Sequence, residues 1–182
     1  MKKIFFNRRG IILVSYILTL LLLGYFIGVN TITKIDREYY FSNLTIYDIF
    51  KHNFFVTNIN MFLAFLGGIL SLFTISLDIV MIGFSIYETK VRLNTSTLNI
   101  LIATLPHGIG EFIVMFMILN ISIDFFIYWY NKIILNKDYS IRILLLRYIK
   151  ILLISIPILG ISAFLEIIIS TKMFEKIFML GG

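Results

Sequence analysis

The chain has 182 residues, of which 59% are apolar and only 14% charged, and it carries a net charge of +6. Soluble domains do not have this composition, so the sequence predicts an integral membrane protein. No polar stretch is long enough to bury a core of its own, and we expect one membrane domain over residues 1–182. The basic excess is typical of the cytoplasmic flanks of membrane spans and does not indicate a nucleic-acid partner.

The N-terminal segment indicates an uncleaved first span. Four basic residues precede the first apolar stretch: Lys2, Lys3, Arg8 and Arg9. The stretch itself, residues 11–29, is long enough to cross a bilayer, and no small-x-small cleavage site follows it. We therefore expect the N-terminus in the cytoplasm and a multi-pass protein of the bacterial cytoplasmic membrane.

The next segment, residues 31–53, reads "TITKIDREYYFSNLTIYDIFKHN" and mixes aromatic with charged side chains. This mixture predicts an interfacial helix between the first and second spans. Residues 54–87 then form an apolar run with Asp78 as the only acidic or basic side chain before its end. The run is too long for one ordinary span and predicts a helical hairpin. Its candidate breaks are Gly67 with Gly68, and residues 71–76.

A second overlong apolar run, residues 98–130, contains Pro106, and a basic segment, residues 131–150, follows it. The last span is predicted at residues 151–170. With five crossings, nine of the sixteen Lys and Arg residues lie on the cytoplasmic side, in the N-terminal cluster and the 131–150 segment. The expected fold is all-α: a polytopic transmembrane helix bundle of about five spans.

The stretch "TLPHGIGEFIVMF" interrupts the 98–130 run. Proline lacks an amide hydrogen and disfavours helix before it, so we expect a helix break at Pro106 and a new helix beginning there. His107 and Glu111 then lie one turn apart on one face. Gly108 and Gly110 allow a neighbouring backbone to approach closely.

Ionisable residues within spans are costly to retain unless they face the bundle interior. Asp78 and Glu166 lie within apolar runs, and we expect them near His107 and Glu111 as one polar cluster. Two interpretations stay open: a pair that only satisfies a helix end, or a group that works in transport or coupling. A metal site is disfavoured because His52 is the only other histidine and cysteine is absent, and no cofactor is expected.

Residues 106–111, "PHGIGE", resemble the P-H-G-x-x-E signature of the stage II sporulation protein M family of bacterial membrane proteins. Two weaker features follow the same order. The stretch "TNINMFLAFLGG" contributes Asn58 and Asn60, and a late "AFLE" ends at Glu166. The resemblance therefore adds these residues to the candidate site.

A further likeness is a position similar to the family's N-G-x-x-x-G pattern. Here Asp78 stands where the family tends to have asparagine, Ile79 where it tends to have glycine, and Gly83 matches. The resemblance covers roughly residues 54–170. It implies a multi-span bundle without an established catalytic activity across the family.

The branches of the family differ in function. One helps cell-wall remodelling during spore engulfment, and another accompanies ABC-type ATPases in the maturation, export or immunity of ribosomally made peptides, including circular bacteriocins. The features of this chain are compatible with either branch. We favour the second, because no sizeable extracytoplasmic region is predicted and the basic 131–150 segment suits a cytoplasmic helix that contacts an ATPase. In this interpretation an apolar peptide is the substrate and membrane lipid surrounds the spans. A homo-oligomer stays open.

Two alternatives to this function remain. The first is a scaffold without transport, in a cell-wall remodelling or sporulation complex. The second is an intramembrane peptidase or peptide cyclase that uses His107 and Glu111 as its catalytic candidates. No nucleophile motif accompanies that pair, so the sequence leaves open whether the chain is an enzyme.

Overall fold

The computed structural model describes residues 8–32, 45–137, 140–173 and 176. Within these ranges the chain forms helices and no strand. The helices are α1 (Arg8–Thr31), α2 (Ile46–Leu66), α3 (Ile69–Leu93), α4 (Thr97–Ile133) and α5 (Arg142–Leu165). A π-helical turn, Glu166–Ser170, continues α5. The predicted all-helical bundle of about five spans is confirmed, and Lys2 and Lys3 lie outside the described residues.

Four of the helices are long and apolar enough to cross a membrane: α1, α3, α4, and α5 with its continuation to Met173. The fifth, α2, begins with a capping box in which Thr45 and Asp48 each bind the other's backbone amide. No glycine or proline follows before Leu66, so the helix continues unbroken into the apolar run.

The predicted interfacial helix over residues 31–53 is helical from Ile46 onward, although it is not a separate element, and its position at the interface stays a prediction. Residues 46–53 are the first two turns of α2, because the cap at Thr45 starts a helix that nothing later stops. Residues 33–44 lie outside the described residues. The charged side chains of these two turns, including Lys51, remain exposed.

The predicted hairpin over residues 54–87 is confirmed, with its turn at Gly67 and Gly68. Gly68 has a φ of 81°, a left-handed conformation that favours glycine. A Cβ atom at Gly68 would lie 2.1 Å from the carbonyl oxygen of Ser122, so α4 also requires a glycine here. The other candidate break, residues 71–76, is helical.

The prediction that a helix begins at Pro106 is wrong, because α4 begins nine residues earlier. The hydroxyl of Ser96 accepts a hydrogen bond from the amide of Asn99 at 3.2 Å, which caps the new helix. Pro106 lies inside the continuous helix. A membrane helix tolerates such a proline because neighbouring groups satisfy the carbonyl that loses its partner.

The chain divides into two compact units. The first unit contains Met1–Leu44, Ser76–Pro106 and Leu165–Gly182, and the second contains Thr45–Ile75 and His107–Phe164. The boundary crosses α4 directly after Pro106, and it crosses α5 just before the π-helical turn. The single membrane domain over residues 1–182 stays a prediction.

Helices α1 and α3 pack backbone to backbone in the first unit. A Cβ atom added at Gly24 would lie 1.9 Å from the carbonyl oxygen of Val80, and one added at Gly83 would lie 2.1 Å from that of Leu21. Ile79 is fully buried beside this contact. The close approach therefore occurs although Ile79 stands where the resembled family tends to have glycine.

Candidate intramembrane polar site

The PHGIGE motif occupies one and a half turns of α4. His107 and Glu111 are one helical turn apart, as predicted, and both are half-buried. Gly110 provides the predicted close approach, since a Cβ atom there would lie 2.0 Å from the hydroxyl of Ser162 in α5. Gly108 is more open, and a Cβ atom there would meet only Phe112, at 3.9 Å.

The carboxyl of Glu111 is held by a residue of another helix. The side-chain amide of Asn53 in α2 donates a hydrogen bond to Glu111 Oε1 at 2.5 Å. Hydrogen bonds to a charged or partly charged carboxyl are the strong ones within a bundle, and this one fixes one carboxyl oxygen. The hydrogen bond joins α2 to α4 at the motif.

Asn53 is a site residue that the sequence interpretation missed, because residues 31–53 were assigned to an interfacial helix. The available signal was the polar spacing of Asn53, Thr57 and Asn60, at intervals of four and three residues. This spacing places the three side chains on one face of a helix. Thr57 and Asn60 are both buried.

The two asparagines of the "TNINMFLAFLGG" stretch have different surroundings. Asn60 is buried and accepts a hydrogen bond from the hydroxyl of Thr74 in α3. Asn58 donates to the carbonyl of Phe54 in its own helix, at 2.7 Å. Asn60 therefore joins α2 to α3, whereas the hydrogen bond of Asn58 is local.

A hydrogen bond between two serine hydroxyls joins α3 to α4 in the same unit. Ser122 donates to Ser71 at 2.9 Å, and both side chains are fully buried. Hydrogen bonds between helices compensate for the weak hydrophobic driving force in lipid. The second unit is therefore stabilised by a series of polar contacts from Glu111 toward the Gly67 turn.

Asp78 and Glu166 belong to the first unit, whereas His107 and Glu111 belong to the second. Asp78 is half-buried in α3. Glu166 opens the π-helical turn, and its carbonyl accepts a hydrogen bond from the hydroxyl of Thr171 at 3.1 Å. Such turns are frequent at functional sites. A common cluster of these acids with His107 stays a prediction.

The end of the second unit opposite the motif is aromatic and basic. Trp129 donates its indole N–H to the carbonyl of Phe65 at 2.9 Å, and Tyr148 packs edge-on against Phe65 and Phe125. Asp124 forms an ion pair with Arg147. Five exposed cations surround this end: Lys132, Lys137, Arg142, Arg147 and Lys150.

Comparison with known proteins identifies one family. The model of the family described as stage II sporulation protein M matches residues 16–171. This range includes every site residue described above, from Asn53 to Glu166. No curated protein and no solved structure gives a significant match to the chain.

Proposed function

Because the chain belongs to the stage II sporulation protein M family, we propose that it is a membrane subunit that works with an ABC-type ATPase. The pair acts in the maturation, export or immunity of a ribosomally made antimicrobial peptide, of which circular bacteriocins are one class. An apolar peptide is the substrate. The basic end of the second unit faces the cytoplasm, together with the N-terminus, in a bacterial cytoplasmic membrane.

The observation that carries this proposal is the path of α4. The helix runs without a break from His107 to Lys132, which is about 38 Å at 1.5 Å per residue. One end carries the polar motif and the other reaches the exposed cations of the 131–150 segment. Force applied by an ATPase at the basic end therefore reaches the motif through a continuous helix.

The contacts of the motif allow α4 to move against its neighbouring helices and to exchange hydrogen-bond partners. Gly110 meets Ser162 of α5 without a large side chain between the helices, so α4 and α5 can slide against each other. Sliding would stretch the Asn53–Glu111 hydrogen bond, which joins α4 to α2. Pro106 adds a point at which α4 can bend. In this mechanism the ATPase moves the motif and opens a path for the peptide.

The proposal is tested in a peptide-producing host. We expect His107→Ala and Glu111→Gln each to abolish peptide export or immunity while the protein remains in the membrane. Asn30→Ala is the matched control, since Asn30 lies outside the candidate site and its amide donates to the Phe26 carbonyl of its own helix. Unchanged peptide yield with both motif variants would remove the motif from the mechanism.

Co-purification then separates the partner classes. An ABC-type ATPase that co-purifies in stoichiometric amount supports the proposed coupling, whereas a wall hydrolase in its place would support the scaffold. Conversion of a precursor peptide by the purified protein without ATP would instead identify a peptidase or cyclase. Deletion of the ATPase gene should abolish transport, and no change after the deletion would contradict the proposal.

A further inference from the structure

The first turns of α5 carry cations and large apolar side chains on the same side. Arg142 and Lys150 are exposed, and Leu146 between them is 60% exposed. At about 100° per residue these three side chains lie within roughly a quarter of the helix circumference. The opposite side carries the buried residues Ser155 and Leu159. Cations that alternate with exposed leucine are typical of a helix at the boundary between membrane and water.

Aromatic residues of the second unit mark the level of this boundary. Tryptophan and tyrosine concentrate at the headgroup level of a bilayer. We expect Trp129 of α4 at this level, and its hydrogen bond to the Phe65 carbonyl fixes the indole. Helices α4 and α5 run antiparallel, because Asp124 pairs with Arg147 while Gly110 meets Ser162. The turn after Trp129 therefore lies beside the first turns of α5.

The two cations are available for an anionic partner. Asp124 is engaged by Arg147, and Lys132 lies over the ring of Tyr128, 5.8 Å from its centroid. Arg142 and Lys150 have no acidic partner within the part of the chain that the structure describes. Arg142 lies level with Trp129 in this antiparallel pair, and Lys150 lies about 12 Å further along α5, with a side chain that extends back toward the N-terminus of its helix. Two exposed positive charges next to apolar surface attract a phosphate that is attached to an acyl chain.

We propose that Arg142, Leu146 and Lys150, the basic rim of the second unit, bind an anionic phospholipid. Arg142 contacts the headgroup phosphate directly, and the long side chain of Lys150 extends back along the helix to the same phosphate. Leu146, between them, contacts the upper part of an acyl chain. A free phosphate ion would make no contact with Leu146. An ATPase would still contact residues 134–141, which connect α4 to α5. The proposal does not depend on the proposed transport function.

The single tryptophan makes this binding measurable. The purified full chain is placed in vesicles that contain phosphatidylglycerol or phosphatidylcholine with brominated acyl chains, because bromine quenches tryptophan fluorescence on contact. We expect brominated phosphatidylglycerol to quench Trp129 more strongly at the same mole fraction. The double variant Arg142→Gln/Lys150→Gln should lower this preference by about fivefold for each cation removed.

Controls keep the result specific to the basic rim. Lys51→Gln removes one exposed positive charge elsewhere in the second unit and should leave the preference unchanged. Arg142→Lys with Lys150→Arg retains both charges and should also retain it. Rising ionic strength should weaken the preference, since the site is exposed.

Three outcomes would overturn the proposal. The first is equal quenching by the two brominated lipids in the native chain. The second is an unchanged preference in the double glutamine variant. The third is full recovery of fluorescence on adding inorganic phosphate at constant ionic strength, which would identify a receptor for the free ion instead of a lipid. A melting temperature of the double variant equal to that of the native chain shows that the loss of binding is not a loss of folding.

Discussion

Two contacts between helices, one in each unit of the molecule, are stabilised in different ways. In the first unit, α1 and α3 approach until the backbone of one meets the glycine of the other, at Gly24 and Gly83. In the second unit, side-chain hydrogen bonds join neighbouring helices, as between Asn53 and Glu111. Both solutions answer the same problem, because lipid provides little hydrophobic driving force for helix association.

This difference indicates which contacts between helices can change during function. A backbone contact at a glycine is set by shape and leaves no room for an added atom. A hydrogen bond between side chains can exchange its partner or its proton without a change in packing volume. The contact between Asn53 and Glu111 of the candidate polar motif is of the exchangeable kind. Three experiments test this comparison.

The largest effect is expected at the glycine contact of the first unit. Gly24→Ala would place a Cβ atom 1.9 Å from the Val80 carbonyl oxygen, so α1 and α3 must separate. Such overpacking costs about 1–3 kcal/mol of unfolding free energy. The measurement is the thermal unfolding of the purified protein in detergent.

Gly160→Ala is the matched control for that substitution. No atom lies within 4 Å of a Cβ atom at this helical position, and alanine favours helix by about 1 kcal/mol relative to glycine. We expect equal or higher stability for the control. Equal melting temperatures for Gly24→Ala and Gly160→Ala would show that the backbone contact does not determine the stability of the first unit.

A smaller effect is expected at the polar contact of the second unit. A double-mutant cycle with Asn53→Ala and Glu111→Ala should give a coupling energy of about 0.6–1.7 kcal/mol, the range for hydrogen bonds between membrane helices. Glu111→Gln should retain most of this stability, because a glutamine oxygen can still accept the Asn53 amide hydrogen.

The control for the cycle is Asn58→Ala combined with Glu111→Ala. The amide of Asn58 donates to the carbonyl of Phe54, so this pair should show additive effects. Coupling of the same size in both cycles would mean that the measurement reports helix α2 as a whole, and the specific Asn53–Glu111 contact would lose its support.

The smallest effect is expected at the start of α2, before its apolar run. Hydrogen bonds from the hydroxyl and the backbone amide of Thr45 lower the pKa of Asp48 below its ordinary value. A lowered pKa in the folded state gives stability that is present above the unfolded value, about 3.9, and is lost as pH falls through the folded value. The melting temperature should fall less on acidification in Asp48→Asn than in the native chain.

The difference in melting temperature between the native chain and Asp48→Asn cancels the contribution of all other carboxyl groups. The melting-temperature advantage of the native chain should be constant near neutral pH and should be lost as pH falls through the lowered pKa of Asp48, where its carboxyl becomes protonated. An advantage that does not change with pH would assign the effect to the geometry of the capping box alone.

Much of the fold could be predicted because its signals are local. The length of the 54–87 run required a hairpin, and Gly68 is the residue that allows its turn. The start of α4 was mispredicted because Pro106 is a strong signal, whereas the cap at Ser96 is a weak one that precedes it. A proline can lie inside a membrane helix once an earlier cap has started that helix.

The candidate site was only partly predictable for a different reason. The helical spacing of His107 and Glu111 follows from the sequence, but the partner of Glu111 depends on which face of α2 meets α4. In the sequence Asn53 lies within a charged segment, and only the packing of α2 against α4 brings its amide to the Glu111 carboxyl. The π-helical turn at Glu166 has no signal in the sequence that we can identify.

The length of α4 determines where the motif meets water. We expect Trp129 at one edge of the membrane. His107 and Glu111 lie 22 and 18 residues back along the helix, which is about 33 and 27 Å. A hydrocarbon core of about 30 Å ends at that depth, so we predict the imidazole and the carboxyl at its far edge. A chain without cysteine can carry a single reporter thiol at Gly108, and a membrane-impermeant reagent added from that side should label it.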